Sequence, residues 1–244
     1  MMKIELNCDL GEGAGNDAKI MPLISACNIA CGGHAGDKNS MIETLILAKK
    51  YGVKIGAHPA YPDKENFGRI SVKMSQAELF DSVYNQVIFL QEAATELGLA
   101  LNHVKPHGAL YNDAMKLPEM ATVIVDVIKK INPKLTLLAP YNSALATCAE
   151  KEKMSVTYEA FIDRRYNKDL SLVSRQFKTA VIIDAEAVFD QFYKMVSQGK
   201  VTCFTGQTIE IKATTYCIHG DNVKAVSILK NLHKRCKEKN ISIN

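Results

Sequence analysis

Seven short apolar runs recur along these 244 residues, each followed by a longer stretch with helical punctuation. This alternation constrains the fold more than any other feature of the chain. The runs are IEL at 4–6, LISACNIA at 23–30, VKIGA at 53–57, LNHV at 101–104, LTLLA at 135–139, SVTYEAF at 155–161 and TTYCI at 214–218. Apolar runs this short, bounded by polar residues, read as buried strands, and strands alternating with helices imply a parallel sheet. The intervals carry helix signals of their own. SQAE at 75–78 is a capping box and Gly98 lies beyond the same helix; Pro118 is placed to open another. Asp37 is placed to cap a helix, Asp184 and Gly199 to bracket one, and Asp221 to cap the last.

An open doubly wound sheet and a closed (β/α) barrel both satisfy this alternation. The polar residues after the runs favour the barrel, because closure gathers the carboxyl ends of nearly all strands round one site. Asn7, Asp9 and Glu12 follow the first run, Asn28 and His34 the second, His58 and Asp63 the third, and Lys105 and His107 the fourth. Asp163 and Arg164 follow the sixth, and His219 and Asp221 the seventh; the fifth ends more plainly in Pro140 and Tyr141. The expected fold is α/β, a (β/α) barrel of about seven parallel strands. One domain over residues 1–244 is expected, since no repeat, low-complexity tract or linker interrupts the pattern.

Composition narrows the function classes. The net charge of +4 is spread along the chain without a basic arm, which argues against nucleic-acid or anionic-membrane binding. No leader pattern and no apolar run of spanning length is present, so a soluble, cytoplasmic protein is expected. Seven cysteines in that setting read as reduced, mostly buried thiols, and without a CxxC pair a zinc–thiolate site is not expected.

Four of the six histidines, His34, His58, His107 and His219, fall at strand ends, where a neutral-range pKa suits proton transfer or metal binding. His103 and His233 lack that setting and receive no role. Asn7 and Asp9 share one face of the first strand by its period of two, with Glu12 in the turn beyond. Carboxylates beside imidazoles can bind a divalent ion, with Asp9, His34 and His58 as candidate ligands, or can serve as base and orienter. An ordinary acidic turn would also explain DLGEG, and the separation of His34 from His58 is not a metal signature by itself.

The glycines around His34 in NIACGGHAGD could present backbone N–H groups to a carboxylate or phosphate, although a plain tight turn explains them equally well. Pro59 and Pro62 stiffen the loop after His58. EAFIDRRY contributes Glu159, Asp163 and Arg164, and an arginine fork binds a carboxylate or phosphate; Arg165 and Arg175 read equally well as surface pairs. No GxSxG, GxxxxGK[ST] or GxGxxG string occurs. The pattern therefore points to water-mediated hydrolysis, with Asp9, His58, Lys105, His107 and Asp163 as catalytic candidates. Asn7, Glu12, Asn28, His34, Arg164 and His219 are candidates for holding substrate.

The blocks LNCDLGEG, NIACGGHAGD, GAHPAYPD, FGR, VKPHGALYN, DRRY and CIHGD, in this order from about residue 4 to the C-terminal helix, resemble the family of bacterial 5-oxoprolinase A-type subunits, also called LamB/YcsF. Departures from the family pattern fall at Asn66, Ile70, Cys27 and Gly33 and leave the polar positions intact. The resemblance implies a distorted barrel of the glycoside hydrolase/deacetylase kind. It further implies ATP-dependent opening of 5-oxoproline to L-glutamate together with partner subunits B and C. Two other readings compete: a metal-dependent deacetylase acting on a sugar-like substrate, and a noncatalytic subunit that binds 5-oxoproline.

Overall fold

The structure, a computed structural model, describes residues 2–244. Its elements, in chain order, are β1 (Met2–Leu10), α1 (Asp17–Ile20), β2 (Ala26–Ala30), α2 (Lys38–Tyr51), β3 (Lys54–His58), α3 (Gln76–Glu96), β4 (His103–Val104), α4 (Gly108–Lys116) and α5 (Pro118–Ile131). There follow β5 (Thr136–Pro140), α6 (Ala144–Lys151), β6 (Val156–Phe161), α7 (Ala185–Gln198), the hairpin β7 (Lys200–Thr202) and β8 (Thr208–Glu210), β9 (Thr215–His219), α8 (Ala225–Glu238) and β10 (Ile241–Ile243). Strands β1, β2, β3, β4, β5, β6 and β9 pair in parallel in that order, and β9 returns to β1. The sheet is thus a closed barrel of seven parallel strands, the architecture expected from the alternation.

The helix boundaries obey their local chemistry. Asp37 and Ser40 form a reciprocal capping box on α2, and Ser75 and Glu78 do the same on α3. Asp184 accepts from the Ala187 N–H to open α7, and Gly199 ends it at φ +62, a left-handed conformation that glycine adopts without strain. Asp221 does not cap α8. That helix begins beyond Lys224 with no side-chain cap, while the Asp221 carboxylate pairs with the guanidinium groups of Arg69 and Arg175. Two cations hold the same oxygens more strongly than a backbone N–H does.

The strands differ from expectation mainly in length. Leu23 belongs to a 3-10 turn over Met21–Leu23 with a proline in its first turn, so the second strand begins only at Ala26. LNHV contributes just His103 and Val104 to pairing, whereas the first strand runs on from Met2 to Leu10. Three further strands lie outside the barrel: β7 and β8 pair with each other, and β10 extends the sheet beside Met2–Ile4.

Register places Asp9, Asn28, Gly56 and His103 in one row across β1 to β4. Gly56 is what makes that row possible: a Cβ there would lie 2.1 Å from His103 Nε2, so only glycine lets the imidazole cross β3 to reach Asn28. The outer layer packs conventionally. Leu45, Leu79, Val83, Ile124, Ile128, Ile228 and Leu229 are fully buried between helices and barrel in one contiguous apolar cluster. Truncating one of these to alanine costs about 2–5 kcal/mol.

Candidate active site

The strand-end clusters predicted from the sequence meet at the carboxyl rim, and the loops there enclose a cavity of about 670 Å³. Asp9, His58, Lys105, His107, Arg164 and His219 line it, together with Arg69, Tyr111, Lys116, Phe161 and the loop 167–176. Asn7, Asn28, His34 and Asp163 are buried behind this wall and act on it through hydrogen bonds.

The barrel floor under the cavity is an unbroken polar network. Lys105 is 2% exposed and its ammonium touches Asp9 Oδ1 at 2.9 Å, Glu159 Oε1 at 2.9 Å and Cys217 Sγ at 3.1 Å. The Asn28 amide donates to Asp9 Oδ1 at 2.7 Å and to Asn7 Oδ1 at 2.8 Å, which leaves Asn28 Oδ1 to accept from His103 Nε2 at 2.7 Å. Asn7 in turn donates to Thr215 Oγ1, and Tyr111 donates to Glu159. Burial raises the Asp9 pKa, but His58 and Lys105 outweigh it and hold the carboxyl well below its usual range. Lys105 is likewise opposed by burial, yet Asp9, Cys217 and Glu159 hold its pKa above the usual lysine value. Both groups are therefore charged at neutral pH.

Above this floor, one carboxylate and three imidazoles converge. His58 Nδ1 lies 2.8 Å from the Lys105 carbonyl, and His107 Nε2 lies 3.0 Å from the Phe67 carbonyl. A carbonyl only accepts, so both of these ring nitrogens carry protons. The opposite nitrogens, His58 Nε2 and His107 Nδ1, face each other at 2.9 Å. Glu12 Oε1 lies 3.8 and 3.4 Å from them and 2.8 Å from His34 Nε2, and His34 stacks on His107 at 3.6 Å. Among the described residues, Glu12, His34, His58 and His107 each offer one ligand atom, all within 4.8 Å of one another.

Protons alone satisfy this cluster poorly. Burial, together with His58 and His34, holds His107 well below the usual histidine range, and burial lowers His34 to about 4. Burial and Asp9 raise Glu12 to about 7. Imidazole nitrogens and a carboxylate oxygen that converge on one point fit a cation, and a set of imidazoles with one carboxylate suits first-row divalent ions. The metal ligands expected from the sequence were Asp9, His34 and His58. The convergent set contains His34 and His58 and adds Glu12 and His107, while Asp9 stands beside it with Oδ1 held by Lys105 and Asn28 and Oδ2 3.4 Å from His58.

On the other side of the cavity, Asp163 Oδ1 accepts from His219 Nδ1 at 2.9 Å. Its Oδ2 accepts from the His219 backbone N–H at 3.2 Å and from Asn222 at 3.1 Å. Burial opposes ionisation of Asp163, but His219 and these hydrogen bonds keep its pKa below the usual value. The pair fixes the imidazole tautomer and leaves His219 Nε2 free on the cavity side.

The glycine loop around His34 spends part of its backbone on itself. The Gly32 N–H is used by the Ala35 carbonyl, and Asp37 itself occupies the start of α2. Gly33 serves packing: a Cβ there would lie 2.3 Å from Gln86 Oε1, and Gln86 clamps the Ala60 N–H and carbonyl beside His58. His103, given no role from the sequence, is an internal support of Asn28. Its signal was available, since His103 precedes Lys105 by two residues and shares its strand face. Nothing in the sequence marks Cys217 as a partner of the buried lysine or Tyr111 as a partner of Glu159. His233 lies outside the site and bonds to the Leu23 carbonyl.

No helix among the described residues is long and apolar enough to cross a membrane. The profile of the LamB/YcsF family matches residues 4–244. A protein from Staphylococcus carnosus, named as the A-type subunit of 5-oxoprolinase, is 42% identical over 247 residues, spanning 99% of this chain and 98% of its own. The protein of the same name from Nitrobacter hamburgensis is 44% identical over 248 residues, spanning 99% and 97%. A crystal structure of a lactam utilization protein from Thermus thermophilus superposes with a TM-score of 0.91 at 35% identity, over 100% of this chain and 99% of the other. A deacetylase structure at TM-score 0.54 and 11% identity, covering 100% of this chain and 87% of the other, shares the fold alone.

Proposed function

The chain belongs to the LamB/YcsF family, and on that premise we propose that it is the lactam-opening subunit of an ATP-dependent 5-oxoprolinase, working with partner subunits B and C. One observation carries the reading: a cation-ready cluster and an Asp163–His219 pair border one cavity. Lactam opening needs both at once, because water must be activated at the carbon while the departing nitrogen is protonated. The relatives' names supply the substrate, and ATP supplies the activation that amide resonance otherwise withholds.

Glu12, His34, His58 and His107 would hold a divalent ion, which when bound supplies a Lewis acid and makes water a nucleophile at neutral pH. Asp9, kept ionised by Lys105 and His58, orients the attacking water through Oδ2 and takes its first proton. Lys105 acts on the reaction by fixing Asp9, since its own ammonium is enclosed by Asp9, Glu159 and Cys217. His219 Nε2 delivers a proton to the ring nitrogen, and Asp163 stabilises the imidazolium that forms before transfer. ATP binding is assigned to a partner, and this chain contributes the hydrolytic half of the reaction.

The test is glutamate release from 5-oxoproline and ATP by this chain, by its B and C partners, and by the mixture, each with and without chelator. Release by the mixture alone, abolished by His107→Ala and by chelator, is expected. A silent mixture with hydrolysis of an acetylated sugar by this chain alone would instead establish the deacetylase.

A further inference from the structure

The three imidazoles of the cation cluster are not held alike. His58 Nδ1 rests on the Lys105 carbonyl at 2.8 Å and His107 Nε2 on the Phe67 carbonyl at 3.0 Å, so a backbone oxygen orients each of these rings. His34 has no such anchor. Its Nε2 meets Glu12 Oε1 at 2.8 Å, while Nδ1 is buried with no hydrogen-bond partner among the described residues. Packing therefore has to aim this ring. His107 stacks on it at 3.6 Å with the planes 2° apart, His58 meets it edge-on at 5.5 Å, and Phe67 meets it edge-on at 5.2 Å and 81°. Two of these neighbours are candidate ligands themselves. Phe67 is the one that is not, and its ring also stands edge-on to His107 at 5.5 Å.

The backbone at Phe67 is bent to this arrangement. Its φ is +55, the left-handed region that a bulky side chain rarely enters, and Gly68 follows at +62. Such a conformation persists only where the surroundings impose it, and it gathers at functional positions. The two left-handed residues lay the chain directly on the imidazoles: a Cβ on Gly68 would lie 2.8 Å from His34 Cβ and 3.0 Å from His107 Cδ2. Hydrogen bonds fix the turn, since the Gly68 N–H donates to the Asp63 carbonyl at 2.7 Å and the Gly68 carbonyl accepts from the Ala109 N–H at 2.9 Å. The Arg69 guanidinium lies over the Phe67 ring at 4.8 Å while paired with Asp221.

Resting on the reading of Glu12, His34, His58 and His107 as a divalent-cation site, we propose that Phe67 is the positioning residue of that site. Its carbonyl fixes His107, and its ring fixes His34, the imidazole that lacks a hydrogen-bonded anchor. Phe67 acts through these two histidines and carries no ligand atom of its own. The affinity of the site for a cation therefore depends on an apolar side chain.

Titration of the full chain with cobalt(II), read by the visible absorption of the bound ion, tests this, with zinc(II) affinity measured by competition. The wild type is expected to bind cobalt. Phe67→Ala keeps the carbonyl and removes the ring; it should weaken both ions about 10–100-fold, the usual loss on removing an outer-shell partner, and change the cobalt spectrum. Phe67→Tyr restores the ring and should return affinity to within about threefold of the wild type. Phe67→Gly separates positioning from folding. Glycine enters the left-handed region without strain, so this variant should melt no lower than Phe67→Ala and yet bind cobalt no better. Affinity that recovers together with stability in Phe67→Gly would make the role merely structural and overturn the assignment. Equal affinity and spectra in the wild type and Phe67→Ala overturn it too, and leave the cation site standing. A wild type that binds neither ion overturns the site and this inference together. The choice of substrate is untouched by all of these results, because the titration contains no lactam and no partner.

Discussion

The two walls of the cavity solve opposite problems. On the side built from the ends of β1 to β4, each group is locked: the tautomers of His58 and His107 are set by backbone carbonyls, and Asp9 and Asn28 are set by Lys105 and His103. On the side built from the loop after β6, with Arg69 reaching in from the loop after β3, the charges sit on long side chains paired near solvent, with Arg69 43% and Arg175 29% exposed at the side chain. Rigid lone pairs suit a small ion or a water that must be aimed. Long, partly solvated cations suit a large anionic group that must arrive and leave. The comparison teaches where precision matters: a displaced imidazole loses the reaction, whereas a displaced rim arginine weakens binding.

Breaking the locked wall at its base should have the largest effect. Lys105→Met leaves the buried carboxylates of Asp9 and Glu159 without their cation, and a loss of about 3–5 kcal/mol is expected in denaturant unfolding. An unchanged midpoint would mean that the network is not what holds the floor. Next, His219→Ala removes the proton donor between the two walls and should lower turnover by about 10² to 10⁴ with the fold intact by circular dichroism. Asp163→Asn should follow it in the same direction.

A third measurement sharpens the contrast through pH. Burial, with Lys105 adding to it, holds His103 at about 3, whereas in the unfolded chain it titrates near about 6.5. Between these values the unfolded state binds the extra proton, so this contribution is intact above pH ~6.5 and is lost as pH falls towards ~3. At pH ~5 the loss is about 2 kcal/mol, and His103→Gln should flatten that limb of the stability curve. The smallest effect belongs to the adaptable wall: Arg69→Gln removes one exposed partner of Asp221 and should cost less than about 1 kcal/mol of stability, with the difference shrinking further in high salt.

Much of this was legible before folding. The alternation of runs, the caps at Asp37, Ser75 and Asp184 and the chemistry at each strand end are local properties, and local properties survive in the sequence. The misreadings share one cause. Asp221 looked like a cap because a cap needs only its neighbours, yet its partners Arg69 and Arg175 lie 152 and 46 residues away. Asp9 likewise has a partner that no local rule supplies: Lys105, 96 residues on, holds its Oδ1.

By itself, then, the sequence determined that the chain forms parallel βα units whose strand ends bear imidazoles, carboxylates and cations, because period, caps and turn chemistry act over a few residues. Only the tertiary structure decided which carboxylate joins the imidazoles, that Gly56 opens a path for His103, and that Arg164 is buried with Nη2 on the Val173 carbonyl. Those outcomes depend on barrel closure and strand register, which bring together groups that no local rule relates.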